Sequence, residues 1–198
     1  MIPTEDKTRP EIRGLDEASR LGRQRARPPV DQWNPAFSGN LDIRVAADGT
    51  WSYLGSPIRR QRLVGLFASI LRHDDDGRYY LVTPVEKVGI TVEDAPFLAV
   101  SMVVEGRGRG QQVTFSTNVG DEVTAGPDHK LRFETADAGG LKPYLRVRGR
   151  LEALVTRALV YDLVELADER DLAGERVFGI WSGGAFFAIA PADQIERQ

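Results

Sequence analysis

The sequence predicts an α+β protein made of two β-rich domains, and three observations carry that prediction. Short segments alternate apolar and polar residues with the period of a half-buried strand. Glycine-containing turn pairs, Asp48-Gly49 and Gly183-Gly184 among them, punctuate these segments. The order strand, strand, helix, strand recurs in the two halves of the chain.

Residues 1–32 read as a flexible N-terminal arm, because apolar residues are sparse and Pro28-Pro29 closes the segment. Arg20, Arg23, Arg25 and Arg27 occur there without an intervening acid. That cluster fits a polyanion-binding tail, or a solvated arm or short surface helix flanked by Asp16, Glu17 and Asp31. The folded part starts near Trp33. Leu41, Ile43 and Val45 alternate with Asp42 and Arg44, which predicts a strand. Asp48-Gly49 marks a hairpin, since such turns take residues with positive φ, and residues 51–54 form the return strand. Ser56 suits a helix cap and Pro57 the first helical position. Leu63, Leu66, Phe67 and Ile70 then follow at helical spacing, with Val64 and Leu71 widening the stripe. Residues 74–77 read as a turn, and residues 79–83 and 88–92 as strands.

Residues 97–104 are apolar and β-prone, and the glycine-rich turn 106–110 leads to a strand at 112–117. Residues 119–127 are turn-rich. Residues 130–135 form a strand with Leu131 and Phe133 on one face, 138–143 a connection, and 144–149 and 151–155 two further strands. Leu159, Val160, Leu163, Val164 and Ala167 have helical spacing. Residues 177–181 and 186–190 make a final hairpin. The halves align as Ile43-Arg44-Val45 with Leu145-Arg146-Val147, helix 60–71 with helix 156–167, and strand 79–82 with strand 177–180. Two such units would each bury a sheet face and leave a cleft between them. The expected division is an arm at 1–32, an α+β domain at 33–95 and a β-rich domain with one helix at 96–198.

Composition narrows the chemistry. The 198 residues are 41% hydrophobic and 28% charged, an ordinary globular balance. A net charge of -3 gives no whole-molecule case for nucleic acid, so anion binding must come from local clustering. The chain has no cysteine, which excludes disulfides, thiolate zinc sites and thiol catalysis. Its two histidines, His73 and His129, are far apart in sequence, so neither a metal site nor a cofactor is expected. No apolar run has the length of a membrane helix. The charged opening, residues 1–10, lacks an apolar h-region, so the expected location is the cytoplasm and no membrane partner is foreseen.

No catalytic constellation stands out. The turn Gly106-Arg107-Gly108-Arg109-Gly110 lacks the helix and the Lys-Ser/Thr ending of a nucleotide-triphosphate loop, though its arginines could touch an anion. Ser182-Gly183-Gly184 has no strand-to-helix elbow around it. Glu86, Glu93 and Asp121 could serve acid–base work, but no spacing demands it. The strongest physical hint is a strand face. Period-two geometry puts Tyr144, Arg146 and Arg148 on one side, with Lys130 and Arg132 joining them if the strands are adjacent. Arginine offers a planar fork for phosphate and tyrosine a stacking face. A solvated sheet face is the plain alternative.

Several strings together resemble a known bacterial family. They are Asp48-Gly49-Thr50-Trp51, Gly55-Ser56-Pro57-Ile58, Leu81-Val82-Thr83-Pro84-Val85-Glu86-Lys87, Val92-Glu93-Asp94-Ala95-Pro96-Phe97, Thr117-Asn118-Val119-Gly120-Asp121, Pro143-Tyr144-Leu145-Arg146-Val147-Arg148 and Gly179-Ile180-Trp181-Ser182. The chain resembles the family called domain of unknown function 1285 over residues 33–190. The resemblance implies repeated structural motifs in two domains, the second superficially like a pleckstrin-homology fold. It also implies a nucleotide-like or nucleic-acid-derived ligand at the inter-domain surface and a role in signal transduction. On that expectation Arg132, Arg146 and Arg148 hold an anionic group, Tyr144 stacks on a base, and Thr83, Glu86, Lys87, Asn118 and Asp121 add polar contacts. A binding protein is expected ahead of an enzyme. A protein-interaction module with a signalling partner and a carboxylate-dependent enzyme are the two alternatives.

Overall fold

The computed structural model describes residues 11–25, 27–136, 139–172 and 174–191. The chain divides into two compact units, Met1–Pro96 and Phe97–Gln198.

The first unit opens with α1, Leu15–Arg25. The segment read as an arm therefore contains a helix, and Ile12, Leu15 and Ala18 are buried beside or within it. Gly14 is needed at its start. Its φ is +73°, and a Cβ there would lie 2.7 Å from Val85 Cγ2. Arg20 is exposed, while the side chains of Arg23 and Arg25 lie outside the described residues.

The first sheet has the order β3-β2-β1-β6-β5-β4. Its strands are β1 Phe37–Val45, β2 Trp51–Tyr53, β3 Ser56–Pro57, β4 Leu71–His73, β5 Tyr79–Val82 and β6 Lys87–Val92. Only β1 and β6 run parallel. The β1–β2 turn forms at Asp48-Gly49, with Gly49 at φ 81° and Asp48 Oδ1 accepting the Thr50 amide at 2.9 Å. Ser56-Pro57 does not start a helix. Leu54, at φ 49°, and Gly55 turn the chain back, so that Ser56 and Pro57 pair with Tyr53 and Ser52. Proline is tolerated there because β3 is an edge strand. The helix α2 spans Gln61–Ser69 and buries Val64, Phe67 and Ala68. It stops two residues short of Leu71, which begins β4 instead. Trp51 stacks on Phe67 in this core, with ring centroids 6.3 Å apart.

The second unit repeats the plan. Its main sheet has the order β10-β11-β12-β7-β8-β9. The strands are β7 Phe97–Glu105, β8 Gln112–Thr117, β9 Glu122–Thr124, β10 Leu131–Thr135, β11 Leu141–Arg148 and β12 Leu151–Val155. Again two three-stranded meanders join through parallel pairing of their first and last strands, here β7 and β12. The strand-strand-helix-strand string recurs as β11, β12, α3 (Arg157–Glu165) and β13 (Asp168–Leu172). Its ending differs. In the first unit β4 completes the sheet, whereas β13 pairs with β14 (Glu175–Ser182) and β15 (Ala185–Pro191) in a separate sheet. Phe97, Phe115, Leu145, Ala153, Leu163 and Ile180 are wholly buried and form this unit's core. β9 lies in a segment read as turn-rich, β13 lies between the predicted helix and the final hairpin where no strand was expected, and Pro143 lies within β11 rather than in a connection.

Candidate functional site

Of the residues marked from the sequence, Thr83, Glu86 and Lys87 lie in the first unit, at the turn from β5 to β6. The Thr83 hydroxyl donates to the Arg13 carbonyl at 2.7 Å and accepts the Glu86 amide at 3.1 Å. The buried Glu86 carboxylate accepts the Arg13 amide at 2.7 Å and Arg13 Nε at 3.2 Å. A buried carboxylate requires such donors. Both side chains thus fasten the residues that precede α1. Lys87 Nζ lies 3.3 Å from Asp74 Oδ2 and 4.5 Å from the Tyr80 ring centroid. Arg72 approaches the same carboxylate at 2.5 Å and donates to the Val30 and Trp33 carbonyls. Burial opposes the charge on Asp74, but the hydrogen bonds and charges of Arg72 and Lys87 outweigh it and hold its carboxyl below the ordinary aspartate range.

Asn118 and Asp121 belong to a tight turn between β8 and β9. The Thr117 amide donates to the Asp121 carbonyl, and the Asp121 amide to Thr117 Oγ1. Asn118 acts like one more strand residue against β7. Its amide donates to the Leu98 carbonyl at 2.9 Å, and its Oδ1 accepts the Leu98 amide at 3.0 Å. These bonds sit beside the irregularity in β7 between Ala99 and Ser101. Asp121 pairs with Arg148 at 2.6 Å, and the Arg148 guanidinium lies 4.9 Å from the Phe97 ring centroid.

β10, β11 and β12 are adjacent, so the expected basic face exists in part. Arg132 stands opposite Tyr144, and Arg146 opposite Glu152. The register then shifts between Arg146 and Arg148. That bulge breaks the period-two series. Arg148 reaches Phe97, which pairs with the buried Ala153, and so leaves the face that Arg146 occupies. Two acids also share that face. Arg132 donates to both Glu152 oxygens, at 2.8 and 2.6 Å, and binds Glu134 as well. The Glu152 carboxylate, more than burial costs, raises the Arg132 pKa above its ordinary value. The Arg132 guanidinium lies 4.1 Å from the Tyr144 ring centroid, with Lys142 at 5.5 Å. Tyr144 is only 3% exposed, so its ring is already stacked rather than presented for a base.

Arg146 is different. It is exposed, and its Nε donates to the Gly149 carbonyl at 2.5 Å. Its amide donates to the Lys130 carbonyl at 2.9 Å, and its carbonyl lies 3.1 Å from His129 Nδ1. A carbonyl only accepts, so Nδ1 donates and Nε2 is left for another partner. The reciprocal turn between Gly126 and His129 holds that imidazole in place. Lys130 is exposed. Among the described residues, no carboxylate forms an ion pair with Lys130 or Arg146. Three basic residues are therefore linked through the backbone at one corner of the second sheet. The sequence put Lys130 on this face without counting it, or His129 next to it in the chain, as a contact, because only the β10–β11 pairing joins them to Arg146.

The carboxylates considered for acid–base work have local partners. Glu93 accepts the Ala47 amide at 2.8 Å and pairs with Arg44 at 2.5 Å. Ser182 is buried, donates to the Ala125 carbonyl and accepts the Val113 amide, so it ties β14 to β8 and to the segment that follows β9. Among the described residues, no group of three His, Asp or Glu side chains could hold a metal ion, and no helix is long and apolar enough to cross a membrane.

Comparison with known proteins adds a lineage. A family model described as "Protein of unknown function (DUF1285), C-terminal domain" matches residues 96–189. One described as "Domain of unknown function (DUF1285), N-terminal domain" matches residues 28–95. A crystal structure of a DUF1285 family protein from Silicibacter pomeroyi is similar, with a TM-score of 0.80 and 48% identity over 85% of this chain and 90% of that one. Another, from Shewanella baltica, has a TM-score of 0.51 and 31% identity over 65% of this chain and 94% of that one. No curated protein matches the chain.

Proposed function

The chain belongs to the DUF1285 family, and from that premise we propose that it is a ligand-binding protein for a phosphorylated, nucleotide-like molecule, of the signal-relay kind that its sequence resemblance implies. The observation that carries the reading is the corner formed by His129, Lys130 and Arg146, where basic residues joined through the backbone have no ion-paired carboxylate among the described residues. Arg146 still has guanidinium N–H groups to offer and Lys130 an ammonium, while His129, whose Nδ1 donates to the Arg146 carbonyl, offers an Nε2–H donor only as the imidazolium. Such groups bind phosphate oxygens through charge-assisted hydrogen bonds. Arg132, Tyr144, Glu134 and Glu152 form a rigid block beside the corner. In this proposal they position it, as do Arg148, Asp121 and Asn118. Thr83, Glu86 and Lys87 act in holding the first unit together.

Thermal-shift screening with nucleoside monophosphates, diphosphates and cyclic nucleotides tests the proposal. A specific ligand stabilises by about 2.7 kcal/mol at a hundredfold excess over its Kd. The expected result is a saturable rise in Tm for at least one nucleotide, abolished in Lys130→Ala/Arg146→Ala. No shift in the wild type, or a shift that survives the double substitution, rejects the reading.

A further inference from the structure

We infer that the sheet β13-β14-β15 carries a separate anion site, in which Arg109 and Arg170 over the Trp181 indole take a phosphate-bearing small ligand. Trp181 pairs with Phe186 across β14 and β15, and the two rings are 5.2 Å apart. Gly179, two residues before Trp181, makes room for this shelf, since a Cβ there would lie 2.5 Å from Phe186 Cζ. Arg170 stands opposite Val177 on β13, which by the two-residue period puts it on the Trp181 side of the sheet. Its guanidinium lies 4.8 Å from the Trp181 ring centroid and 5.7 Å from that of Phe186. Arg109 comes from the glycine-rich turn and lies 5.2 Å from the same Trp181 centroid. The turn is fixed to the sheet there. Gln111 Nε2 donates to the Trp181 carbonyl at 2.8 Å, and the Gly183 amide donates to the Gln111 carbonyl at 3.1 Å. The two guanidinium carbons are therefore no more than 10.0 Å apart.

Counter-charge decides what these arginines can do. Arg13, Arg44, Arg72, Arg132, Arg148 and Arg176 each pair with a carboxylate. Among the described residues Arg109 and Arg170 do not, in a chain with 29 acids and 26 lysines and arginines. Glu169, the neighbour of Arg170, pairs with Arg176 at 3.0 Å on the opposite side of the sheet. Asp168 shares the Arg170 side and forms no ion pair with it. Attraction to an aromatic ring uses a cation's charge but none of its N–H donors. Each guanidinium thus keeps its planar fork for oxygen atoms, and that fork matches phosphate. Trp181 is 9% exposed, so the shelf acts as a floor that sets where the forks sit. Arg107, exposed on the same turn, adds a further positive charge to it.

The test is a titration of the full chain with inorganic pyrophosphate at physiological ionic strength. It is followed by the indole N–H resonance of Trp181, assigned with Trp181→Phe, and by the arginine Nε–H resonances. The expected result is a saturable shift of the indole resonance. The affinity falls about tenfold or more in Arg109→Ala/Arg170→Ala, because charge-assisted hydrogen bonds are lost. It also falls in Arg109→Lys/Arg170→Lys, which keeps the charge but not the fork. That second variant decides the matter if the alanine pair does not fold. Lys130→Ala/Arg146→Ala leaves the indole shift of Trp181 and its apparent affinity unchanged, so this site and the corner on β10–β11 stand or fall separately. No saturable shift in the wild type overturns the inference. So does wild-type affinity in the folded alanine or lysine variant, or loss of the shift in Lys130→Ala/Arg146→Ala.

Discussion

Asp74 lies between two cations, and its neighbours decide its charge. Its folded pKa is lowered, so its stabilising effect is complete above the unfolded aspartate value of about 3.9 and is lost as pH falls through the folded one. Asp74→Asn leaves Arg72 and Lys87, both largely shielded, without their carboxylate. The expected cost at neutral pH is about 1–2 kcal/mol, between the values for exposed and buried pairs. Thermal melts at pH 7 and near pH 3 check it. The gap between wild type and variant shrinks at the lower pH, and a gap independent of pH contradicts the assignment. The same attention to partners sorts the basic residues that the sequence singled out. Strand alternation correctly brought Arg132, Tyr144 and Arg146 to one face. Alternation also puts Glu134 beside Arg132 on the same strand, but it could not show that Glu152 faces Arg132, because cross-strand neighbours depend on register. Nor could it place the bulge that takes Arg148 away to Asp121 and Phe97.

Elements were legible where one local preference dominated. The hairpins at Asp48-Gly49 and Gly183-Gly184 and the amphipathic stripe of α2 form where the sequence puts them. Misreadings occur where two preferences compete. Ser56-Pro57 has the chemistry of a helix start, but the left-handed Leu54 and Gly55 commit it to the sheet edge. Leu71 continues the apolar stripe of α2, yet its pairing with Leu81 makes it a strand residue. β13, with its run Asp168-Glu169-Arg170-Asp171, lacks a continuous apolar face and is a strand only through its pairing with β14. Gly179 in β14 offers a direct test of packing at this scale. Gly179→Ala would place Cβ 2.5 Å from Phe186 Cζ and 2.6 Å from the Phe187 carbonyl oxygen. The phenyl ring can swing aside, but the backbone oxygen cannot. The expected loss is about 1–3 kcal/mol in chemical denaturation, with a changed near-ultraviolet signal from Trp181. An unaltered midpoint contradicts this packing.

At the scale of the whole molecule, each unit carries a six-stranded sheet of the same order, first strand parallel to last. The repeated strand-strand-helix order was visible in sequence, but its closing strands were read at 79–82 and 177–180, whereas β4 and β13 follow the helices, and the repeated sheet order was not visible. That order depends on the long-range pairs β1 with β6 and β7 with β12, which no local pattern encodes. Every strand of the second unit pairs within that unit, which also has a continuous apolar core. Residues 97–198 alone are therefore expected to give a dispersed amide spectrum and one cooperative melt. A collapsed spectrum would contradict that independence. The central claim, that the corner at His129, Lys130 and Arg146 binds a phosphorylated nucleotide-like ligand, is tested most directly by calorimetric titration. The full-length wild type and Lys130→Ala/Arg146→Ala would each be titrated with the nucleotide that raises Tm most. The account predicts saturable one-site binding to the wild type and none to the folded double variant, whereas equal binding to both would contradict it.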